Sequence, residues 1–159
     1  AFSPMADRKR RVAVMDTGEG MGQVIPVLVA SSLASLGYLG PAPYLVIEHP
    51  DLHLHSNVHK GLLDYFLAHL ARSPSTTLLL ETHSEAMLIA LQLAILNGSI
   101  SHDDVIVHWV ESDETGASYV QSLSFDERAQ PSTGNWPGAD WFGQLHRQMS
   151  DLARIRIAG

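Results

Sequence analysis

Residues 43–60 contain several side chains of the types that can bind metal ions or position phosphate groups. An aliphatic run ends at Glu48, and the next twelve residues contain Asp51 and four histidines. A carboxylate at the end of a buried strand is costly without a partner. A hard cation such as Mg²⁺, held by one carboxylate and several waters, is a natural partner. The stretch indicates a metal site, the acidic rim of a nucleotide site, or a polar loop whose carboxylate reaches solvent.

The histidines of this stretch offer a second kind of chemistry. His53, His55 and His59 could act as zinc ligands, because alternate residues of an extended segment project the same way. Leu52 and Leu54 interleave with them, and a helical pattern follows directly. A metal-dependent hydrolase therefore stays open as one interpretation.

A glycine cluster lies earlier in the chain. Gly18, Gly20 and Gly22 precede a helical pattern, so backbone N–H groups and the positive end of the helix dipole could face an anion. The spacing is neither the dinucleotide fingerprint nor a Walker A loop, and the chain contains no Gly-Lys-Ser/Thr. A plain tight turn is the alternative.

His83 is the third candidate. It follows another aliphatic run and is flanked by Glu81, Thr82, Ser84 and Glu85. A histidine at such a place is either a hydrogen-bonded structural residue or a functional group at a strand tip.

The elements that would position these clusters alternate along the chain. Helical patterns follow the first three of five strand-like runs, which predicts a mostly parallel sheet flanked by helices in three layers. Two final strands joined by a turn predict a C-terminal antiparallel hairpin, within a single domain over residues 1–159. Ligands bind at the carboxyl ends of parallel strands, so the three clusters are expected along one edge. The predicted strands are 11–15, 44–48, 77–81, 105–110 and 119–125, and the predicted helices are 23–36, 57–71, 85–96 and 141–155.

The composition of the chain argues against several classes of function. The 159 residues carry a formal net charge of −7, with 17 acids against 10 Lys and Arg. This balance argues against a surface that grips a nucleic-acid backbone by itself. The absence of cysteine excludes disulfides, thiolate zinc sites and cysteine nucleophiles. No apolar run reaches the roughly 18 residues of a membrane span, which favours a cytoplasmic protein.

Taken in order, the three clusters resemble the C-terminal half of ABC-type ATPases, most closely the SMC-, RecF- and OLD-like group with its predicted AAA-type members. "DTGEGMGQVIPVLV" is similar to the signature motif and its helix, "YLVIEHPDLHLH" to Walker B running into the D-loop, and "LLLETHSE" to the switch-histidine strand. "VHWVESDETGASYVQSLSFDE" and "NWPGADWF" resemble that group's C-terminal hairpin and tail. The resemblance covers roughly residues 11–145 and implies half of a P-loop ATPase domain.

The resemblance also implies roles. Glu48 would be the Walker B carboxylate that holds the Mg²⁺ water shell, and His83 the switch histidine that senses the γ-phosphate of ATP. Residues 51–55 would form a D-loop edge that touches the partner. The signature turn, presented to a nucleotide on a second subunit, would consist of Gly18, Gly20, Gly22 and Gln23.

Three departures from the family pattern shape the expected function. His49 stands where many relatives place a catalytic glutamate, so the base would be this imidazole or Asp51. Gly22 replaces the signature serine, and the Walker A loop, the Q-loop and the adenine-stacking strand are missing. We therefore expect an ATPase component completed by a Walker A-bearing chain or N-terminal half, in a homo- or hetero-oligomer. The resemblance further implies a nuclease partner and DNA reached through the complex. The alternative is a non-catalytic, degenerate interaction module.

Overall fold

A computed structural model describes residues 13, 16, 18–41 and 43–132 of the chain. The order of elements is α1 (Glu19–Ser35), β1 (Tyr44–Glu48), α2 (Ser56–Leu70), β2 (Thr77–Glu81), α3 (Glu85–Leu96), a 3₁₀ turn (His102–Asp104), β3 (Val107–Ser112) and β4 (Ser118–Leu123). The chain divides between Leu91 and Gln92 into two compact units. The predicted first strand and last helix, 11–15 and 141–155, lie outside the described residues.

The mixed α/β class is confirmed. β1 and β2 pair in parallel and in register, from Tyr44 opposite Thr77 to Glu48 opposite Glu81. β3 and β4 form the predicted antiparallel hairpin, each strand placed slightly differently from its predicted bounds. The three-layer arrangement, the P-loop half-domain and the single domain over residues 1–159 stay predictions.

The helix after the glycines begins earlier than predicted. α1 starts at Glu19, with Gly18 as an N-cap that has no side-chain hydrogen bond. Gly20, Gly22 and Gln23 are therefore helical and do not form a turn before the helix, which corrects the prediction. Acidic Glu19 in the first turn favours this start, because a negative charge is stabilised at a helix N-terminus.

The earlier start also moves Pro26 from the first turn to the helix interior. A proline has no N–H to offer the carbonyl four residues before it, which here belongs to Gly22. Both residues are exposed, so water can take the place of the missing donor.

In the first unit, α1 contacts both α2 and strand β1 of the parallel sheet. α2 buries an apolar stripe of Leu62, Leu63, Phe66 and Leu67, whereas Val58 is exposed. Tyr65 joins the two helices, since its hydroxyl donates to the Leu28 carbonyl at 2.6 Å and accepts from Ser32 Oγ at 2.7 Å.

No described element covers the other face of the parallel sheet, although the sequence predicts helices on both faces. Tyr44, Val46 and Leu79 are 80%, 61% and 53% exposed. A parallel sheet normally has both faces covered. Within the described residues the sheet has two strands and a cover on one side, which is why alternate residues remain in solvent.

In the second unit, the turn between β3 and β4 is organised by Asp113. Its carboxylate accepts hydrogen bonds from Thr115 Oγ1 at 2.6 Å, from Thr115 N–H at 2.8 Å and from Ala117 N–H at 3.0 Å. The Thr115 hydroxyl, followed by the backbone donors, lowers the pKa of Asp113 below its ordinary value of 3.8. Gly116, at φ +84°, supplies the left-handed residue of the turn.

Candidate functional site at the carboxyl edge of the parallel sheet

The register of β1 and β2 places the ends of the two strands side by side. Glu48 and Glu81 are partners across the ladder, so their side chains leave the same face of the sheet. His49 continues the ladder by one bond, because its N–H donates to the Glu81 carbonyl at 2.9 Å. Two of the three predicted clusters therefore meet at one edge.

His49 leaves the strand in a left-handed conformation, with φ +47°. Strand alternation alone would send a residue after Glu48 to the opposite face. In the structure, His49 Nε2 lies 3.7 Å from Glu81 Oε1, and its ring centroid lies 4.9 Å from that of His83. The turn at His49 thus brings its imidazole to the side of Glu81.

The resulting cluster consists of His49, Glu81 and His83. Each residue offers one ligand atom, and these atoms all lie within 4.8 Å of one another. His49 is half-buried, whereas Glu81 and His83 are exposed. Among the described residues, this is the group of histidines and acids close enough together to share a metal ion.

Glu48 lies beside this cluster with its carboxylate exposed. Within the described part of the chain it has neither a hydrogen-bond partner nor an ion-pair partner. A free carboxylate next to Glu81 across the ladder creates a local negative charge, which a divalent cation would offset.

Asp51 has a structural partner. Thr82 Oγ1 donates to Asp51 Oδ1 at 2.7 Å and accepts from the N–H of Ser84 at 3.0 Å. Ser84 Oγ in turn accepts from the N–H of Met87 at 3.2 Å and caps the first turn of α3. Asp51 thus ties the loop after β1 to the segment that starts α3.

Buried His59 also connects the loop after β1 to the segment before α3. Its Nε2 lies 3.2 Å from the Leu54 carbonyl, which can only accept, so Nε2 carries a proton. Its Nδ1 lies 2.6 Å from Ser84 Oγ. In the neutral imidazole, Nδ1 accepts from the Ser84 hydroxyl, which still accepts from the backbone N–H of α3. Every polar group of this contact is then satisfied.

The zinc set suggested by sequence does not assemble. His59 uses both ring nitrogens internally, and His55 Nδ1 accepts from the N–H of Asn57 at 3.2 Å as the N-cap of α2. His53 Nε2 lies 3.7 Å from Glu19 Oε1 at the start of α1. The three side chains have separate partners, so alternation along this segment does not bring them to one ion.

The glycines at the start of α1 differ in how much free space surrounds them. A Cβ on Gly20 would lie 2.5 Å from the His53 carbonyl oxygen and 2.9 Å from Leu54 Cδ2. Gly18 and Gly22 have nothing within 4 Å of the corresponding position. Gly20 is therefore required by the close approach of α1 to the loop after β1, and Gly18, Gly22 and exposed Gln23 remain accessible.

Sequence reasoning missed Glu81 and the pairing of His49 with it. The available signal was that Glu81 ends its aliphatic strand just as Glu48 ends the preceding one. The register that aligns the two carboxylates, and the left-handed turn at His49, required the structure.

Comparisons of the chain with protein-family models, with curated proteins and with solved structures give no significant match. Among the described helices, none is long and apolar enough to cross a membrane.

Proposed function

We propose that this chain supplies one half of a composite ATP site, with the phosphate-binding loop contributed by a second polypeptide or by a further segment of the protein. The observation that carries the proposal is the parallel, in-register pairing of β1 and β2. This pairing puts Glu48 and His83 at the same carboxyl edge. Nucleotides bind at this edge of open α/β sheets.

Glu48 fits the role of the carboxylate that holds Mg²⁺. It is exposed at the strand end, is unpaired within the described residues, and has the Glu81 carboxylate as its neighbour. Mg²⁺ takes oxygen ligands and keeps several waters, so one or two carboxylates suffice. When bound, the ion would neutralise charge on the β- and γ-phosphates.

His83 fits the role of a phosphate sensor because it is exposed two residues beyond the end of β2. A protonated ring nitrogen donates a hydrogen bond to a phosphate oxygen, whether the imidazole is neutral or charged. His49, with its ring centroid 4.9 Å away, is the base candidate that follows Glu48 directly. Asp51 is the weaker base candidate, because one of its oxygens already accepts from Thr82.

The described residues do not provide a phosphate cradle. Lys60 is the single lysine among them, and its Nζ lies 2.7 Å from Asp64 Oδ2 one helical turn away. The N-terminal end of α1, with open space around Gly18 and Gly22, leaves room for an approaching ligand. The lysine and the loop that grip the β- and γ-phosphates must therefore come from elsewhere.

The open face of the parallel sheet supports the need for a partner. Tyr44 and Val46 lie on the same face as Glu48, and Leu79 lies on the same face as Glu81, because side chains alternate along a strand. A Walker A-bearing chain that covers this face would bury the exposed apolar groups and exclude water from the edge. Exclusion of water strengthens the electrostatic interactions of a phosphate site.

The test is reconstitution of ATP turnover. The chain is mixed with Walker A-bearing polypeptides of the same source, beginning with the product of the neighbouring reading frame, and phosphate release is measured with Mg·ATP. We expect turnover to fall by about 100-fold or more in Glu48→Gln and in His83→Ala. Glu114→Gln and His108→Ala, which alter exposed residues of the second unit, are the matched controls.

Two outcomes would contradict the proposal. One is turnover in Glu48→Gln and His83→Ala within about threefold of the unmodified chain, well short of the loss expected for transition-state contacts. The other is a stable complex with a Walker A polypeptide that shows no turnover and no ATP-dependent change, which would favour the interaction-module alternative.

A further inference from the structure

We propose that His49, Glu81 and His83 form a binding site for a divalent transition-metal ion of the Zn²⁺ class. This site differs from the proposed Mg²⁺ position at Glu48 in its ligands and in its metal. It does not depend on the proposed ATP function.

The chemistry of the three ligands favours such an ion. Imidazole nitrogen suits Zn²⁺, Co²⁺, Ni²⁺ and Cu²⁺, whereas Mg²⁺ prefers oxygen ligands. Two imidazoles and one carboxylate form a His₂Glu set, in which three protein ligands leave a further coordination position open.

The distances are close to what coordination needs. Tetrahedral ligands at about 2.0–2.1 Å from zinc lie roughly 3.3 Å from one another. His49 Nε2 and Glu81 Oε1 are 3.7 Å apart, and the three ligand atoms lie within 4.8 Å of each other. Glu81 and His83 are exposed, so rotation of their side chains would be free to close the remaining gap.

The backbone holds the ligands on one side of the edge. The N–H of His49 is bonded to the Glu81 carbonyl at 2.9 Å, and φ of +47° turns the His49 ring toward the Glu81 side chain. His83 lies two residues after Glu81, with the intervening Thr82 fixed to Asp51 at 2.7 Å. The loops that carry both histidines are thus anchored through groups that do not take part in coordination.

His53 provides an internal comparison. It also has a left-handed backbone, with φ +59°, and also lies 3.7 Å from a glutamate, Glu19. Among the described residues, however, no second histidine or further acid completes a three-ligand group with it. The difference between His49 and His53 is therefore the presence of His83.

If both proposals hold, the two ions act in opposition. A transition metal on His83 would take one of its ring nitrogens, and the ion with its remaining ligands would compete with the γ-phosphate for the space beside the ring. Zn²⁺ would then inhibit the reconstituted ATPase while Mg²⁺ supports it.

The experiment is a titration of the purified chain with Co²⁺, without nucleotide or partner, followed by visible absorption and by displacement with Zn²⁺. We expect one tight Co²⁺ per chain with the spectrum of a four- or five-coordinate site. His49→Asn and His83→Ala should each weaken this site by at least about tenfold, the scale on which even groups that only support a ligand act. His53→Asn is the matched control and should change the affinity by less than about twofold.

Equal Co²⁺ affinity in the unmodified chain, His49→Asn and His83→Ala would overturn the assignment, as would an equal loss in His53→Asn. If a variant loses its fold by circular dichroism, the unmodified chain supplies the test. Substoichiometric Co²⁺ should broaden the ring-proton NMR signals of His49 and His83 first, and first broadening of His53 or His55 would refute the site. Because ATP is absent, failure here leaves the composite ATP site standing, and failure of reconstitution leaves the metal site standing.

Discussion

Replacement of Gly20 by alanine tests whether α1 is held against the loop after β1 as tightly as the structure indicates. A Cβ at this position would lie 2.5 Å from the His53 carbonyl oxygen, and ordinary contact begins at 3.4 Å. The obstacle is backbone, so it cannot move aside like the end of a flexible side chain. Either α1 or the loop must shift by nearly 1 Å.

Two effects oppose each other in this substitution. Alanine in place of glycine favours a helix by up to about 1 kcal/mol. Forcing an extra group into a packed contact costs typically about 1–3 kcal/mol. Since the contact is with backbone, we expect the steric cost to dominate and Gly20→Ala to destabilise the first unit by about 1–2 kcal/mol.

Gly22→Ala is the matched control within the same helix. Nothing lies within 4 Å of the added methyl group. The same propensity gain should therefore appear without the steric cost, stabilising the first unit by about 0.5–1 kcal/mol. The contrast between the variants is about 1.5–3 kcal/mol, which exceeds the usual error of such measurements.

The assay is urea unfolding followed by far-UV circular dichroism, with amide hydrogen exchange in α1 and α2 to localise the effect. Residues 1–91 contain no tryptophan and Trp109 lies in β3 of the second unit, so tryptophan fluorescence does not report directly on the first unit. Equal stability of Gly20→Ala and Gly22→Ala would refute the inferred contact between α1 and His53.

Three further perturbations address the polar contacts. His59→Phe should destabilise the first unit by about 1–3 kcal/mol in urea unfolding, because the partly buried Ser84 hydroxyl and Leu54 carbonyl lose their partner. Unchanged stability would contradict these hydrogen bonds. The Thr115 hydroxyl and the backbone donors lower the pKa of Asp113 in the folded chain. We therefore expect the turn between β3 and β4 to be fully ordered above pH 3.8, and to lose this order as the pH falls through the lowered pKa of folded Asp113. Asp113→Asn should remove this pH dependence from the amide shifts of the turn, and a dependence that persists would assign it to another group. Lys60→Ala removes an exposed ion pair and should change stability by less than about 0.5 kcal/mol, so a larger loss would mean that this pair is more than a surface contact.

The bounds of the helices and strands could be predicted where the local sequence pattern was strong. Tyr44–Glu48 and Thr77–Glu81 match their predicted strands at both ends, and Glu85–Leu96 matches the third helix. A continuous aliphatic run bounded by polar residues is sufficient to define such elements. The start of α1 was missed because three glycines suggested a turn, whereas capping at Gly18 and Glu19 in the first turn allow a helix to begin there.

The site was only partly predictable. Glu48 and His83 could be placed at one edge from the rule for parallel strands, and the structure brings the two strand ends together. The zinc interpretation of His53, His55 and His59 assumed an extended segment in which alternate residues face the same way. A left-handed residue at His53 and the start of α2 at Ser56 break that alternation.

His49 shows why a site of this kind cannot be predicted from the periodicity of the sequence. A non-glycine residue in the left-handed region costs roughly 1–2 kcal/mol, so it persists only where other interactions hold it. Here the N–H of His49 is bonded to the Glu81 carbonyl at 2.9 Å, and the His49 carbonyl accepts from the N–H of Leu52 at 3.0 Å. These two bonds hold the turn, and the outcome is a histidine on the side of Glu81. The two proposals interpret this outcome differently. The ATP site needs a partner on the open sheet face before His49 and His83 have a substrate, whereas the metal site needs only the three side chains already in place. Co²⁺ binding by the isolated chain is therefore the more direct test of whether the strained turn serves a ligand, because no second polypeptide has to be found first.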